Sequence, residues 1–124
     1  MQAPTSRLVV LRAPFAADER GLAAYCAFRV VVDEMELLSL AVRPEWRLQG
    51  LGTWLARLAF GMGGRAGARA AFLEVRAGNE PALRLYASLG LQETGRRARY
   101  YKDPVEDAVV LTRALAPVTA PRYS

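Results

Sequence analysis

The sequence predicts a mixed α/β domain in the order strand–strand–strand–helix–strand–helix–strand–strand. Two observations carry this expectation. The spacing of apolar residues changes from two to three-and-four just after Gly50, and returns to two at Ala70. Each helical stretch also follows a strand-like run, so helices are expected to cross between strands of one sheet. With 124 residues the chain can bury a single core, and residues 1–124 are read as one domain. No internal repeat, low-complexity block or linker interrupts it.

Residues 7–12 (Arg-Leu-Val-Val-Leu-Arg) read as the first strand, and residues 14–21 as a turn. Residues 22–32 form an apolar hairpin partner, broken by Asp33-Glu34. Residues 35–42 are nearly apolar throughout, as a central strand should be. Their alternation falters at Leu37-Leu38, which points to a bulge. From Gly50, the recurrence of Leu51, Trp54, Leu55, Leu58 and Met62 predicts an amphipathic helix, with Gly61, Gly63 and Gly64 weakening and ending it. Trp54 and Trp46 are read as structural.

The fourth strand, residues 70–76, places Ala71, Leu73 and Val75 on one face and Phe72 and Glu74 on the other. Glu74 is thus a carboxylate within an apolar strand, where an unused buried charge is costly. Asn79 suits an N-cap, with Glu80 and Pro81 in the first turn of a second helix. Leu83, Tyr86 and Leu89 share a face of that helix, and Gly90 closes it. Residues 91–101 and 108–115 are two last strands around Asp103-Pro104, and residues 116–124 read as a loosely held tail.

Composition excludes several chemistries. Apolar residues make up 52% and charged residues 23%, a globular balance rather than a disordered one. The sequence has no histidine, which removes every triad and zinc motif built on imidazole. One cysteine, Cys26, cannot close an internal disulfide or form a thiolate cluster, and reads as a core thiol. No metal is expected. No apolar run reaches membrane length and no secretory signal opens the chain, so a cytoplasmic protein without membrane attachment is expected. The net charge of +5 suits a polyanionic partner, either a nucleotide cofactor or RNA.

The residues 47–52 (Arg-Leu-Gln-Gly-Leu-Gly) sit between a buried strand and an amphipathic helix. Glycines let backbone approach a ligand closely, and the unpaired amides of a helix N-terminus attract anions. The pattern is neither a Rossmann nor a Walker fingerprint, and by itself it also describes a helix start that binds nothing.

Arg47-x-x-Gly50-x-Gly52 does, however, match the acetyl-CoA signature of the GNAT superfamily in its strand-to-helix setting. The wider text resembles the ribosomal-protein-alanine N-acetyltransferases of that superfamily. It includes Leu40-Ala41-Val42-x-Pro44, then Leu73-Glu74-Val75-Arg76-Ala77-x-Asn79, then Leu85-Tyr86-x-Ser88-Leu89-Gly90. Arg96-Arg97-x-x-Tyr100-Tyr101 and Glu106-Asp107-Ala108 follow in order, and the resemblance runs from about Val32 to Leu115.

This resemblance implies a GNAT fold, a mixed and mostly antiparallel twisted sheet with flanking helices. It implies acetyl-CoA as co-substrate and direct attack of an amine on the thioester. Leu40, Ala41 and Val42 match the strand that meets the pantetheine arm. Arg47, Leu48, Gln49, Gly50, Leu51, Gly52 and Thr53 match the loop around the pyrophosphate, and Asn79 matches a cofactor contact beside the reacting centre. Glu74 matches the family's general base and Tyr86 its general acid. The chemistry needs such a pair: an α-ammonium with a pKa near ~8 must lose a proton, and the leaving thiolate must gain one. Burial is expected to raise the carboxyl pKa toward the working range, and an amide near Val42 is expected to stabilise the oxyanion. Without the motif, Glu74 would read as an ion-pair partner of Arg76 or Arg97, and Tyr86 as a core residue.

The chain departs from the pattern in two places. Leu48 and Thr53 stand where basic residues are common, which predicts somewhat weaker phosphate affinity. The family's first strand and first two helices, which wall the peptide groove, are expected to be missing ahead of Arg7. A miscalled start, a minimal domain, or a homo-oligomer whose neighbour supplies the wall would each account for this. The expected acceptor is a protein or peptide N-terminus, such as that of a ribosomal protein. The alternatives are a small amine or lysine side chain, or a non-catalytic acetyl-CoA-binding subunit. An RNA-binding module is the weakest reading, because the arginines are scattered and no stacking platform is evident.

Overall fold

The computed structural model describes residues 5–12, 22–44, 47 and 50–115. The expected turn at residues 14–21, the tail at residues 116–124, Trp46, Leu48 and Gln49 lie outside these. The elements follow the predicted order: β1 (Thr5–Arg12), β2 (Leu22–Val31), β3 (Glu34–Val42), α1 (Leu51–Arg65), β4 (Ala70–Arg76), α2 (Glu80–Ser88), β5 (Gln92–Tyr101) and β6 (Glu106–Ala114). The strands form one six-stranded sheet in the order β1-β2-β3-β4-β6-β5. Every neighbouring pair is antiparallel except β3 and β4, which α1 connects in parallel.

One face of the sheet holds the core. Cys26, Phe28, Met35, Leu37, Ala71, Leu73 and Val109 pack there against Leu55, Ala56, Ala59 and Phe60 of α1 and Tyr86 of α2. The alternation predicted for β4 is observed, with Ala71, Leu73 and Val75 buried and the residues between them half-buried. Cys26 is a fully buried thiol, and burial raises its pKa to about 11. Among the described residues, no helix covers the second face, which carries Tyr25, Ala27 and Glu74 by strand alternation.

The helix α1 corrects two expectations. Its predicted stripe included Trp54 and Leu58, but these are 52% and 39% exposed, so Trp54 is not a core residue. The buried stripe is Leu55, Ala56, Ala59, Phe60 and Gly63. Size explains the change. Three of the five buried residues are alanine or glycine, and a Cβ on Gly63 would overlap Sδ of the fully buried Met35. The glycines do not end the helix. It runs through them to Arg65 and stops before Gly67, whose φ of 101° suits glycine. Ala68 N–H then donates to the Gly63 carbonyl at 2.9 Å. Gly63→Leu is expected to destabilise the fold by about 1–3 kcal/mol through overpacking, read as a lower urea midpoint.

The bulge expected at Leu37-Leu38 is present. Phe28 pairs with Leu37 and Ala27 with Ser39, so Leu38 is the unpaired extra residue. A bulge bends its strand. Beside it, the β3–β4 ladder holds only from Glu34 to Glu36 against Ala70 to Phe72, and the two strands then part.

Candidate active site

The parting of β3 and β4 opens a cavity of about 640 Å³ on the helix side of the sheet. Leu40, Ala41 and Val42 of β3 line one wall, and Gly50, Leu51, Gly52 and Thr53 bring the N-terminus of α1 to it. Arg47 and Asn79 complete the set, so the structure gathers nine of the eleven residues expected to meet the cofactor. The other two, Leu48 and Gln49, lie outside the described residues.

The helix end is prepared for an anion. Gly50 occupies the N-cap with φ of 76°, no side chain caps the first turn, and no acidic residue lies in it. The first-turn amides therefore keep their donor capacity beside the positive end of the dipole. Among the described residues, chain neighbours aside, no atom stands within 4 Å of where a Gly50 Cβ would be. Arg47 Nε donates to the Val42 carbonyl at 3.0 Å, tying the loop to the end of β3.

The opposite wall is α2, with Pro81, Ala82, Leu85 and Tyr86. The sequence reading missed the first three. Ala82, Leu85 and Tyr86 recur at three and four residues, and that spacing was the available signal. Asn79 caps α2 as expected, accepting from Ala82 N–H at 3.3 Å. The turn before it is clamped by Glu106, whose Oε2 accepts from Gly78 N–H at 2.6 Å and whose Oε1 pairs with Arg76 at 3.3 Å.

Tyr86 is 9% exposed, and burial first, then the neighbouring Cys26 thiol, push its pKa up to about 12. Glu74 is not part of the cavity lining. It lies on the second face of β4, opposite to Leu73 and Val75, with its side chain 15% exposed. The two expected catalytic groups are therefore brought to opposite faces of the sheet, beside the gap between β3 and β4.

Glu74 Oε1 pairs with Arg97 Nε at 3.1 Å, while Oε2 is buried without a hydrogen-bond partner among the described residues. Of the two arginines weighed as partners, Arg97 takes the carboxylate. Arg76 instead donates to the Pro104 and Lys102 carbonyls and stacks over Tyr101 at 4.5 Å. The Tyr101 phenol pKa is raised by burial first and by the Glu74 charge second. Among the described residues no group of three His, Cys, Asp or Glu side chains is placed to hold a metal, and no helix is long and apolar enough to cross a membrane.

The acetyltransferase (GNAT) family profile matches residues 3–91. The ribosomal protein bS18-alanine N-acetyltransferase of Escherichia coli K12 is 39% identical over 92 residues, covering 73% of this chain and 62% of that protein. The chain spans about three-fifths of the length of the curated relatives it matches. The crystal structure of the Escherichia coli ribosomal-protein-S18-alanine N-acetyltransferase superposes with a TM-score of 0.73 at 26% identity, over 97% of this chain and 100% of that one. Arabidopsis thaliana NAA60 in complex with a bisubstrate analogue gives 0.83 at 16% identity, over 92% and 78%. At that identity the likeness is one of fold.

Proposed function

The chain belongs to the acetyltransferase (GNAT) family, and on that premise we propose that it transfers acetyl from acetyl-CoA to the α-amino group of a protein N-terminus. The observation that carries this reading is the cavity at the parting of β3 and β4, floored by an uncapped helix N-terminus. Such an end offers amides to a pyrophosphate without a competing carboxylate. Gly50 to Thr53 with Arg47 would hold the phosphates, with Leu48 and Gln49 completing the loop. Leu40, Ala41 and Val42 would hold the pantetheine arm, and Asn79 would meet the cofactor beside the reacting centre.

Acetyl-CoA, when bound, supplies an activated acyl carbonyl and a thiolate leaving group. Glu74, on the second face, takes the proton from the incoming ammonium through its unpartnered Oε2. A backbone amide near Val42 would stabilise the developing oxyanion. Tyr86, on the helix face, donates toward the leaving sulfur. Amine entry from one face and thiolate departure on the other keep the acid and the base apart.

The 39% identity to an enzyme named for alanine acetylation of bS18 supports a ribosomal-protein acceptor, and such an acceptor would place the reaction in the cytoplasm. A thiol-release assay across ribosomal-protein N-terminal peptides, lysine peptides and small amines tests this. Preferred turnover of alanine-led peptides is the expected outcome. Turnover of small amines or lysine alone would overturn the acceptor, and tight acetyl-CoA binding with no turnover would mark a binding subunit.

Gly52 tests the cofactor site. A Cβ there would stand 3.7 Å from Val42 Cγ2 and 3.8 Å from Leu85 Cδ2, so alanine fits. The branches of valine would enter the cavity. Gly52→Val is expected to weaken acetyl-CoA binding by about ten-fold or more in calorimetry, with Gly52→Ala close to wild type.

A further inference from the structure

We propose that Arg97 is a positioning residue for the base: it holds Oε1 of Glu74 and leaves Oε2 as the oxygen that takes the proton of the acceptor amine. The inference rests on the reading of Glu74 as the base given above. Arg97 reaches the carboxylate from two strands away. It lies on β5 opposite Ala108 of β6, and Ala108 lies opposite Arg76 of β4. Ala108 is 0% exposed yet stands outside the core cluster, so it is covered on the second face of the sheet. A residue no larger than alanine leaves a lane across β6 for the arginine.

The neighbouring cation has other partners. Arg76 shares a strand and a face with Glu74, but it engages Glu106, two backbone carbonyls and the Tyr101 ring. Among the described residues, one guanidinium therefore serves Glu74. Its contact is also one-sided. A bidentate fork would occupy both carboxylate oxygens, whereas here Nε meets Oε1 and leaves Oε2 buried and unpartnered. A buried acceptor without a donor is destabilising, and an incoming ammonium supplies that donor. Stability does not explain the pair, because the Arg97 side chain is 59% exposed and such ion pairs contribute little.

The test uses the full chain and the variants R97A, R97K, R97Q and E74Q. Glutamate is labelled with carbon-13 at the carboxyl, and the Glu74 resonance of the ligand-free chain is identified by its loss in E74Q. R97A is expected to move that resonance and to lower kcat by about 10- to 100-fold, the scale of a misplaced catalytic group. KM for acetyl-CoA should stay within about two-fold and Tm within about 3 °C. R97K, which keeps the charge, should recover most of the rate and of the resonance position. An unmoved Glu74 resonance with wild-type kcat in R97A overturns the inference, and so does a loss of rate that merely follows a loss of Tm. Should R97A fail to fold, R97Q decides: a resonance moved in R97Q but kept in R97K supports the role, and one unmoved in both overturns it. Wild-type turnover in E74Q removes the base itself, whereas a slow E74Q beside a fast R97A removes the role of Arg97 alone.

Discussion

Glu74→Gln is expected to slow the chemical step by ~10²–10⁴-fold, the usual range for a general base. Glutamine keeps the shape of the side chain and one acceptor oxygen but cannot take up the ammonium proton. Because Glu74 lies outside the cavity lining, acetyl-CoA affinity should be unchanged, which separates a chemical defect from a binding one. The Arg97 contact would lose the carboxylate charge, and its exposure keeps the effect on stability small. Single-turnover measurement with saturating acetyl-CoA reads the step directly. A wild-type rate there, with chemistry limiting, would remove Glu74 from the mechanism.

Tyr86→Phe is expected to slow the same step by about 10²-fold, toward the lower end of the acid–base range. The reason lies in burial. A phenol pushed up to about 12 is a weaker acid than a free thiol, whose pKa is about 8.5, so complete proton transfer to the leaving sulfur is uphill. Tyr86 then acts mainly by donating a hydrogen bond as negative charge grows on sulfur. The sign of the shift makes a second statement. A raised pKa means the proton is retained until the pH approaches 12, so Tyr86 sets no loss of rate between about pH 7 and 10. An alkaline limb near pH 10 in the wild type that vanishes in Tyr86→Phe would contradict this. Removal of the hydroxyl alone should leave the packing of the ring against the core intact.

Much of the architecture was legible because its causes are local. Alternation in residues 70–76 orients Glu74 away from Leu73, whatever the rest of the chain does. Asn79 caps α2 through a bond only three residues long. Gly50 announces the helix start by its freedom to adopt positive φ. The broken alternation at Leu37-Leu38 showed where β3 would bend, and that bend sits beside the cavity.

The burial face of α1 was misread because periodicity weighs apolar size, whereas Ala56, Ala59 and Gly63 are buried beside Leu55 and Phe60. Gly63 faces Met35 across an interface that would reject even a methyl group, and nothing in the helix itself records the distance to β3. The Glu106-Asp107-Ala108 stretch was visible as text without a role. Only in the sheet does Glu106 clamp Gly78, Asp107 accept from Arg99 N–H at 2.9 Å, and Ala108 come opposite Arg97.

By itself, then, the sequence determined the element order, the strand-to-helix glycine loop and the place of Glu74 on its strand and Tyr86 on its helix. Each of these depends on contacts within a few residues. The tertiary structure decided that Arg97 rather than Arg76 meets Glu74, and that Glu74 and Tyr86 stand on opposite faces of the sheet. Those outcomes depend on β6 lying between β4 and β5 and on the parting of β3 from β4. Both are set by pairings between residues far apart in the chain, which no local pattern encodes.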